Sequence, residues 1–188
     1  IKKKVLEDVD PETRRKKKKE MRIQRLIVTL QFLGIAAVVI LIFYILMGIS
    51  TVDGNSMYPT LHDKDIVIYN RRCKEYKAGD IVAIARPSGE DYVKRVIAVA
   101  GDMVNIQDGK VYVNGEEVRY DGEIGTTEKK SSKITYPLRV GDKEVFVLGD
   151  NREVSRDSRE IGTVKVSDIE GKIAVSYTHL TLPTNSRG

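Results

Sequence analysis

The sequence predicts a mainly β protein, in which a single N-terminal transmembrane helix is followed by a folded, antiparallel, barrel-like β domain. Three observations lead there. Residues 26–49 read LIVTLQFLGIAAVVILIFYILMGI, 24 residues without a charge. Beyond them, short apolar and β-branched runs alternate with turn pairs such as Asp108-Gly109 and Asn114-Gly115. No helical period of useful length appears after residue 50.

The helix comes first. At about 1.5 Å per residue, residues 26–49 make roughly 36 Å, enough to cross a hydrocarbon core of about 30 Å with some tilt. Thr29, Gln31 and Gly34 do not form the polar stripe that a soluble core helix of this length needs. A cleaved signal peptide has a shorter apolar region, about 7 to 15 residues, and ends in a small-residue cleavage site. Ile1 is not an initiator methionine, which reads as a fragment at this end.

Residues 1–25 hold 11 Lys or Arg against 5 Asp or Glu, and the remainder holds 21 against 22. The net charge of +5 is therefore an N-terminal property, and no nucleic-acid partner is expected. The cluster from Arg14 to Lys19, with Arg22 and Arg25, sets the orientation. The positive-inside rule leaves this basic segment, residues 1–25, in the cytoplasm and residues from about 50 onward on the far side of the cell membrane. Met57 and Tyr58 then lie close enough to the bilayer surface to touch its interface.

The whole chain is 41% hydrophobic and 31% charged, an ordinary composition, so a folded core is expected in the exported domain, residues 50–174. Strands are predicted at residues 65–69, 80–85, 92–100, 103–106, 110–113, 144–148 and 163–166. Between them lie the turns at 78–80, 87–89, 101–102, 108–109 and 114–115. Asp-Gly and Asn-Gly suit tight hairpins, whose two central residues both need positive φ. A folded-over antiparallel sheet is the economical architecture. Residues 116–136, polar and glycine-containing, read as an exposed connection. Cys73 is the only cysteine and the two histidines, His62 and His179, lie far apart, so neither a disulfide, a metal nor a cofactor is expected.

Three stretches carry chemistry. In Gly54-Asn55-Ser56-Met57-Tyr58-Pro59-Thr60-Leu61, the proline stiffens a turn that presents the Ser56 hydroxyl; alone, Ser56 also reads as an ordinary loop serine. In DYVKRVIAVAGD, residues 91–102, two cations interrupt an apolar strand. Alternation puts Lys94 with Tyr92, Val96 and Ala98, and Arg95 with Val93, Ile97 and Val99. Both faces are apolar, so periodicity leaves open which cation is buried; an edge-strand lysine that blunts aggregation is the plainer reading. In GDNREVSRDSREIG, residues 149–162, carboxylates, guanidinium groups and hydroxyls crowd together, as in a solvated loop or in a rigid paired scaffold.

These three stretches, in this order and behind this span, resemble the three boxes of bacterial type I signal peptidases, in the compact Gram-positive form, over about residues 26–173. The resemblance implies a serine endopeptidase with Ser56 as nucleophile and Lys94 as general base. Ser155 matches the hydroxyl that helps position the lysine amine, and Asp157 with Arg159 the pair that braces the site. Some family members carry an oxyanion-hole serine two residues before the nucleophile; Gly54 stands there, so the Ser56 backbone N–H is the donor implied. The implied partners are exported preproteins carrying signal peptides, cut after small residues, and the lipid bilayer. The chemistry fits the residues: a lysine serves as base only when neutral, so its ordinary pKa of about 10.4 has to fall through burial.

Two other functions fit the sequence less fully: a membrane-tethered relative of the self-cleaving Ser-Lys repressor proteases, and a non-catalytic anchored β module that binds an envelope partner. Residues 175–188, beginning Val175-Ser176-Tyr177-Thr178-His179, resemble translated sequencing-adaptor read-through. They are expected to be a non-native tail in place of a terminal strand.

Overall fold

The structure, a computed structural model, describes residues 11–85 and 92–177. The turn expected at 87–89, Asp91, His179 and the N-terminal ten residues lie outside the described residues. The chain divides into two units between Ile45 and Leu46. The first is one helix, α1 (Pro11–Leu46), long and apolar enough to cross a membrane. Proline suits its first turn, where an N–H has no helical partner. The basic cluster is thus helical and continuous with the apolar run, and the large apolar side chains from Leu26 to Ile45 are exposed.

The second unit is antiparallel β structure in two sheets. Its elements are β1 (Met47–Thr51), β2 (Ile66–Asn70), β3 (Ile81–Ile84), β4 (Tyr92–Val99), β5 (Met103–Gln107), β6 (Lys110–Val113) and β7 (Glu116–Glu117). They continue with β8 (Leu138–Arg139), β9 (Glu144–Leu148), the one-turn helix α2 (Ser158–Ile161), β10 (Val164–Lys165) and β11 (Ile169–Tyr177). One sheet runs β1-β2-β11-β3-β4-β9-β10, the other β7-β6-β5-β8.

Two predicted hairpins are made as their turn residues require. Asp108 and Gly109 have φ of 52° and 73°, and Asn114 and Gly115 have 53° and 89°, closing β5 on β6 and β6 on β7 with two-residue loops.

The apolar run does not stay helical to Ile49. Its last three residues open β1, which pairs with β2 from Met47 opposite Asn70 to Thr51 opposite Ile66. The reason is local: Gly48 lies directly over the Tyr69 ring, where a Cβ would come within 2.2 Å of ring carbons. The end of the chain differs as well. β11 fills the position between β2 and β3, and its backbone pairing reaches Tyr177 opposite Ile66, three residues into the segment 175–188.

β4 is the spine. It lies between β3 and β9, so Lys94 is not on an edge strand. It also feeds three apolar clusters. Val93 packs with Val52, Met57, Leu61 and Val67. Val96 packs with Val82, Val145 and Val147, and Ile97 with Phe146 and Leu148. A bulge between Val96 and Ala98 shifts the register against β9, so Ala98 joins Ile97 instead of sharing the face of Lys94. Met57 is fully buried in this core and does not reach an interface, whereas Tyr58 is 42% exposed.

The contact over Gly48 yields a test. Gly48→Ala should destabilise the detergent-solubilised chain by about 1–3 kcal/mol, the usual cost of forcing atoms into a filled core. Equilibrium denaturation reads it, and a stability unchanged from the parent would mean that the Tyr69 ring yields freely.

Candidate active site

Ser56 sits in a loop pinned on both sides. Val52, Met57 and Leu61 are buried anchors. The Val52 N–H donates to the Asp65 carbonyl at 2.8 Å, the Lys64 N–H to the Val52 carbonyl at 2.8 Å, and the Gly54 N–H to Asp63 Oδ1 at 2.7 Å. Gly54 has φ 78°, a left-handed conformation that glycine adopts without strain.

Lys94 reaches the same point from β4. Its Nζ lies 2.7 Å from Ser56 Oγ and donates to the Val93 carbonyl at 2.9 Å. The Tyr92 ring lies 5.0 Å from the amine, and the whole residue is only 2% exposed. The two side chains face a cleft of about 320 Å³. It is lined also by Gly54 and Asn55 beside the serine, by Tyr92 and Val93 of β4, and by Val154 and Arg156. His62 and Cys73 are not among the cleft residues.

Arg95 points to the other face of β4, and there it does something the sequence reading missed. Its guanidinium grips Asp150 with two bonds, Nε to Oδ1 at 2.8 Å and Nη2 to Oδ2 at 2.6 Å, and donates from Nη1 to the Gly79 carbonyl at 3.0 Å. The hydrogen bond to Asp150 raises the Arg95 pKa against the opposing effect of burial. Asp150 also accepts from Thr60 Oγ1 in the nucleophile loop. The next residue completes the link, because the Asn151 N–H donates to the Ser56 carbonyl at 3.1 Å. Arg95 was visible beside Lys94, and Asp150 in the dense loop, but nothing local in the sequence tied them to Thr60.

Of the three supporting residues, Asp157 and Arg159 are brought together. Both are completely buried, and the guanidinium donates from Nε to Oδ1 and from Nη2 to Oδ2, each at 2.8 Å. Arg159 Nη2 also donates to the Arg152 carbonyl at 2.7 Å, and Asp157 Oδ2 accepts the Gly149 N–H at 3.1 Å. Burial pushes the Asp157 carboxyl up, and Arg159 more than reverses this, leaving it below the ordinary carboxylate range. Ser155 is buried against Gly149: a Cβ on Gly149 would come within 2.2 Å of Ser155 Oγ and 2.4 Å of the Ser56 carbonyl. Ser155 also lowers the Asp157 pKa, a smaller effect than that of Arg159.

The connection 116–136 is not simply exposed. Arg152, 1% exposed, reaches across to it, donating from Nη1 to Thr127 Oγ1 at 2.6 Å and from Nη2 to Glu123 Oε2 at 2.7 Å. Its Nε holds the Gly149 carbonyl at 3.0 Å. No motif marks Thr127 or Glu123, and only the fold brings them to the site.

A family model described as "Signal peptidase, peptidase S26" matches residues 23–178. The chain is similar to signal peptidase I of Bacillus amyloliquefaciens, 38% identical over 118 residues that cover 57% of this chain and 63% of the relative. It is equally similar to signal peptidase I S of Bacillus subtilis, 38% identical over 121 residues, or 57% and 64% of the two chains. Signal peptidase IB of Staphylococcus aureus is 34% identical over 144 residues, covering 68% and 75%. The chain thus spans somewhat less than two thirds of the two Bacillus relatives. A crystal structure of a signal peptidase I from Enterococcus faecalis aligns with a TM-score of 0.45 at 30% identity, covering 53% of this chain and 97% of the other.

The buried pair sets a pH dependence. Asp157 binds its proton less readily when folded than when unfolded, where its pKa is about 3.9. Its contribution to stability is therefore complete above that value and is lost as pH falls through the lower, folded-state one. In urea unfolding between pH 7 and 2, Asp157→Asn should flatten the acid limb. At pH 7, Arg159→Ala should cost about 3–5 kcal/mol, because it strands a buried carboxylate. An acid limb identical in parent and Asp157→Asn would refute the assignment.

Proposed function

We propose, from the premise that this chain belongs to the peptidase S26 family of signal peptidases, that it is a membrane-anchored serine endopeptidase. Its substrates are exported preproteins, from which it removes N-terminal signal peptides by cutting after small residues. The observation that carries this reading is the 2.7 Å approach of Ser56 Oγ to a lysine amine that is 2% exposed at the edge of a cleft.

The chemistry follows from that geometry. A lysine serves as a base only as the neutral amine, so the reading requires Lys94 to react in that form. The neutral amine takes the Ser56 hydroxyl proton, and the oxygen attacks the scissile carbonyl. The tetrahedral oxyanion is stabilised by the Ser56 backbone N–H, which makes no hydrogen bond among the described residues. The carbonyl bond to nitrogen then breaks, and the Lys94 ammonium gives its proton to the departing amine. The regenerated neutral amine deprotonates a water molecule, whose oxygen attacks the acyl-serine ester; the carbon–Oγ bond breaks, the Lys94 ammonium returns its proton to Ser56 Oγ, and the second product leaves as the carboxylic acid. The Val93 carbonyl holds the amine in place through both half-reactions.

The anchor is α1, whose exposed apolar residues need a lipid environment to be covered. The basic flank keeps its N-terminal side in the cytoplasm and Ser56 on the outer side, ten residues beyond the last helical residue, Leu46. A substrate tethered in the same membrane is thereby presented at short range.

Purified chain in detergent, offered a precursor with an intact signal peptide, should cleave it at one bond. Ser56→Ala and Lys94→Ala should each reduce cleavage by about 10³-fold or more, as loss of a nucleophile or its base does. Full activity in Lys94→Ala would refute the base. A second expectation concerns pH. kcat/KM should climb as pH rises above neutrality, because only the neutral amine accepts a proton. A profile that falls between about pH 6 and 9 would count against a lysine base.

A further inference from the structure

Lys130 lies in the connection 116–136, outside every stretch the sequence singled out, yet its amine enters the loop that walls the cleft. Nζ donates to the Ser155 carbonyl at 2.7 Å and to the Glu153 carbonyl at 3.2 Å, with Glu160 Oε1 at 3.8 Å. The two carbonyls flank Val154. That residue is 62% exposed and, with Arg156, lines the same cleft as Ser56 and Lys94. On the protein side the same turn is held by Arg159, which donates to the Arg152 carbonyl at 2.7 Å. One cation thus grips the turn from the core and another from the outer face.

Lys130 is not a freely waving surface lysine. Its side chain is 23% exposed, and Thr127, three residues earlier, is held twice, its backbone N–H by the Gly109 carbonyl at 2.8 Å and its side-chain Oγ1 by Arg152. The chain thus delivers the amine to the turn from an anchored base. A charge-assisted bond to a carbonyl is among the stronger hydrogen bonds a protein makes.

We propose that Lys130 is a positioning residue for substrate binding. By clamping the carbonyls on either side of Val154, it holds in place the Val154–Arg156 segment that lines the cleft beside the dyad, where the substrate peptide is received. It touches neither Ser56 nor Lys94 in any hydrogen bond or ion pair, so it governs how well the peptide is held rather than how fast the bond breaks. This rests on the reading of the cleft as a peptidase site.

The test uses the full chain in detergent and a peptide that spans a precursor cleavage site. Lys130→Ala should raise KM about tenfold, roughly what loss of one charge-assisted hydrogen bond is worth in binding, and change kcat less than about twofold. Lys130→Arg, which keeps the cation, should recover most of the loss. In the Ser56→Ala background, the dissociation constant of the uncleaved peptide, read by fluorescence anisotropy, should move by the same factor. Hydrogen exchange of the amides from Glu153 to Arg156 should quicken in Lys130→Ala and not in Lys130→Arg. Faster exchange with KM and peptide affinity unchanged would overturn the proposal, leaving a purely structural clamp. So would a fall in kcat at constant KM. Failure of the unsubstituted chain to cleave would refute the peptidase reading instead, while the affinity and exchange measurements still decide the clamp.

Discussion

The chemistry of this site depends on one separation, 2.7 Å between an amine rooted in the middle of a sheet and a hydroxyl carried on a loop 38 residues away in the chain. The amine is the easier half to place. β4 is hydrogen-bonded on both sides, its neighbours on the strand feed the apolar clusters, and Lys94 itself is buried. The hydroxyl is harder, because loops wander unless something holds their backbone. Here the holding is done by Met57 and Leu61 from below and by the 149–152 segment from the side, where the Asn151 N–H takes the Ser56 carbonyl.

That second support explains the concentration of charge. Arg95 with Asp150, Arg152 with Glu123, and Arg159 with Asp157 are ion pairs of little or no exposure, each also bonded to a backbone carbonyl. Burying three such pairs is poor value for stability, since desolvation offsets most of the attraction. What they supply is geometry. A guanidinium fork accepts only a narrow range of partner positions, so three of them fix the backbone from Gly149 to Arg159 more tightly than apolar packing of an irregular loop would. Gly149 belongs to this device, because only a residue without a Cβ lets Ser155 and the Ser56 carbonyl close in on it.

Much of this was legible in the sequence, and the parts that were not share a physical cause. The hairpins closed by Asp108-Gly109 and Asn114-Gly115 were readable because their geometry is set by two adjacent residues. Ser56, Lys94, Asp157 and Arg159 were singled out by the resemblance of three motifs in order, since taken alone the same residues also read as a loop serine, an edge-strand lysine and a solvated loop. β1 was hidden because its Met47-Gly48-Ile49 is as apolar as the helix before it, and only the Gly48 approach to the Tyr69 ring separates strand from helix. The bulge at Ile97 leaves no trace in alternation, so Ala98 was assigned to the wrong face. Thr127, Glu123 and Lys130 act through partners more than 20 residues away, and no local pattern reports such a pairing.

The adjacency of Lys94 and Arg95 draws these points together. In a strand, neighbours face opposite sides, so two consecutive cations cannot serve one pocket. One of them enters the cleft and needs to lose its charge to act as a base; the other stays charged and holds Asp150. Because Asp150 in turn accepts from Thr60, and Asn151 holds the carbonyl of Ser56, the second cation positions the loop that presents the hydroxyl to the first. The amine of the proposed base and the cation that anchors the serine loop are thus consecutive residues of one strand, so the position of β4 sets both sides of the 2.7 Å contact.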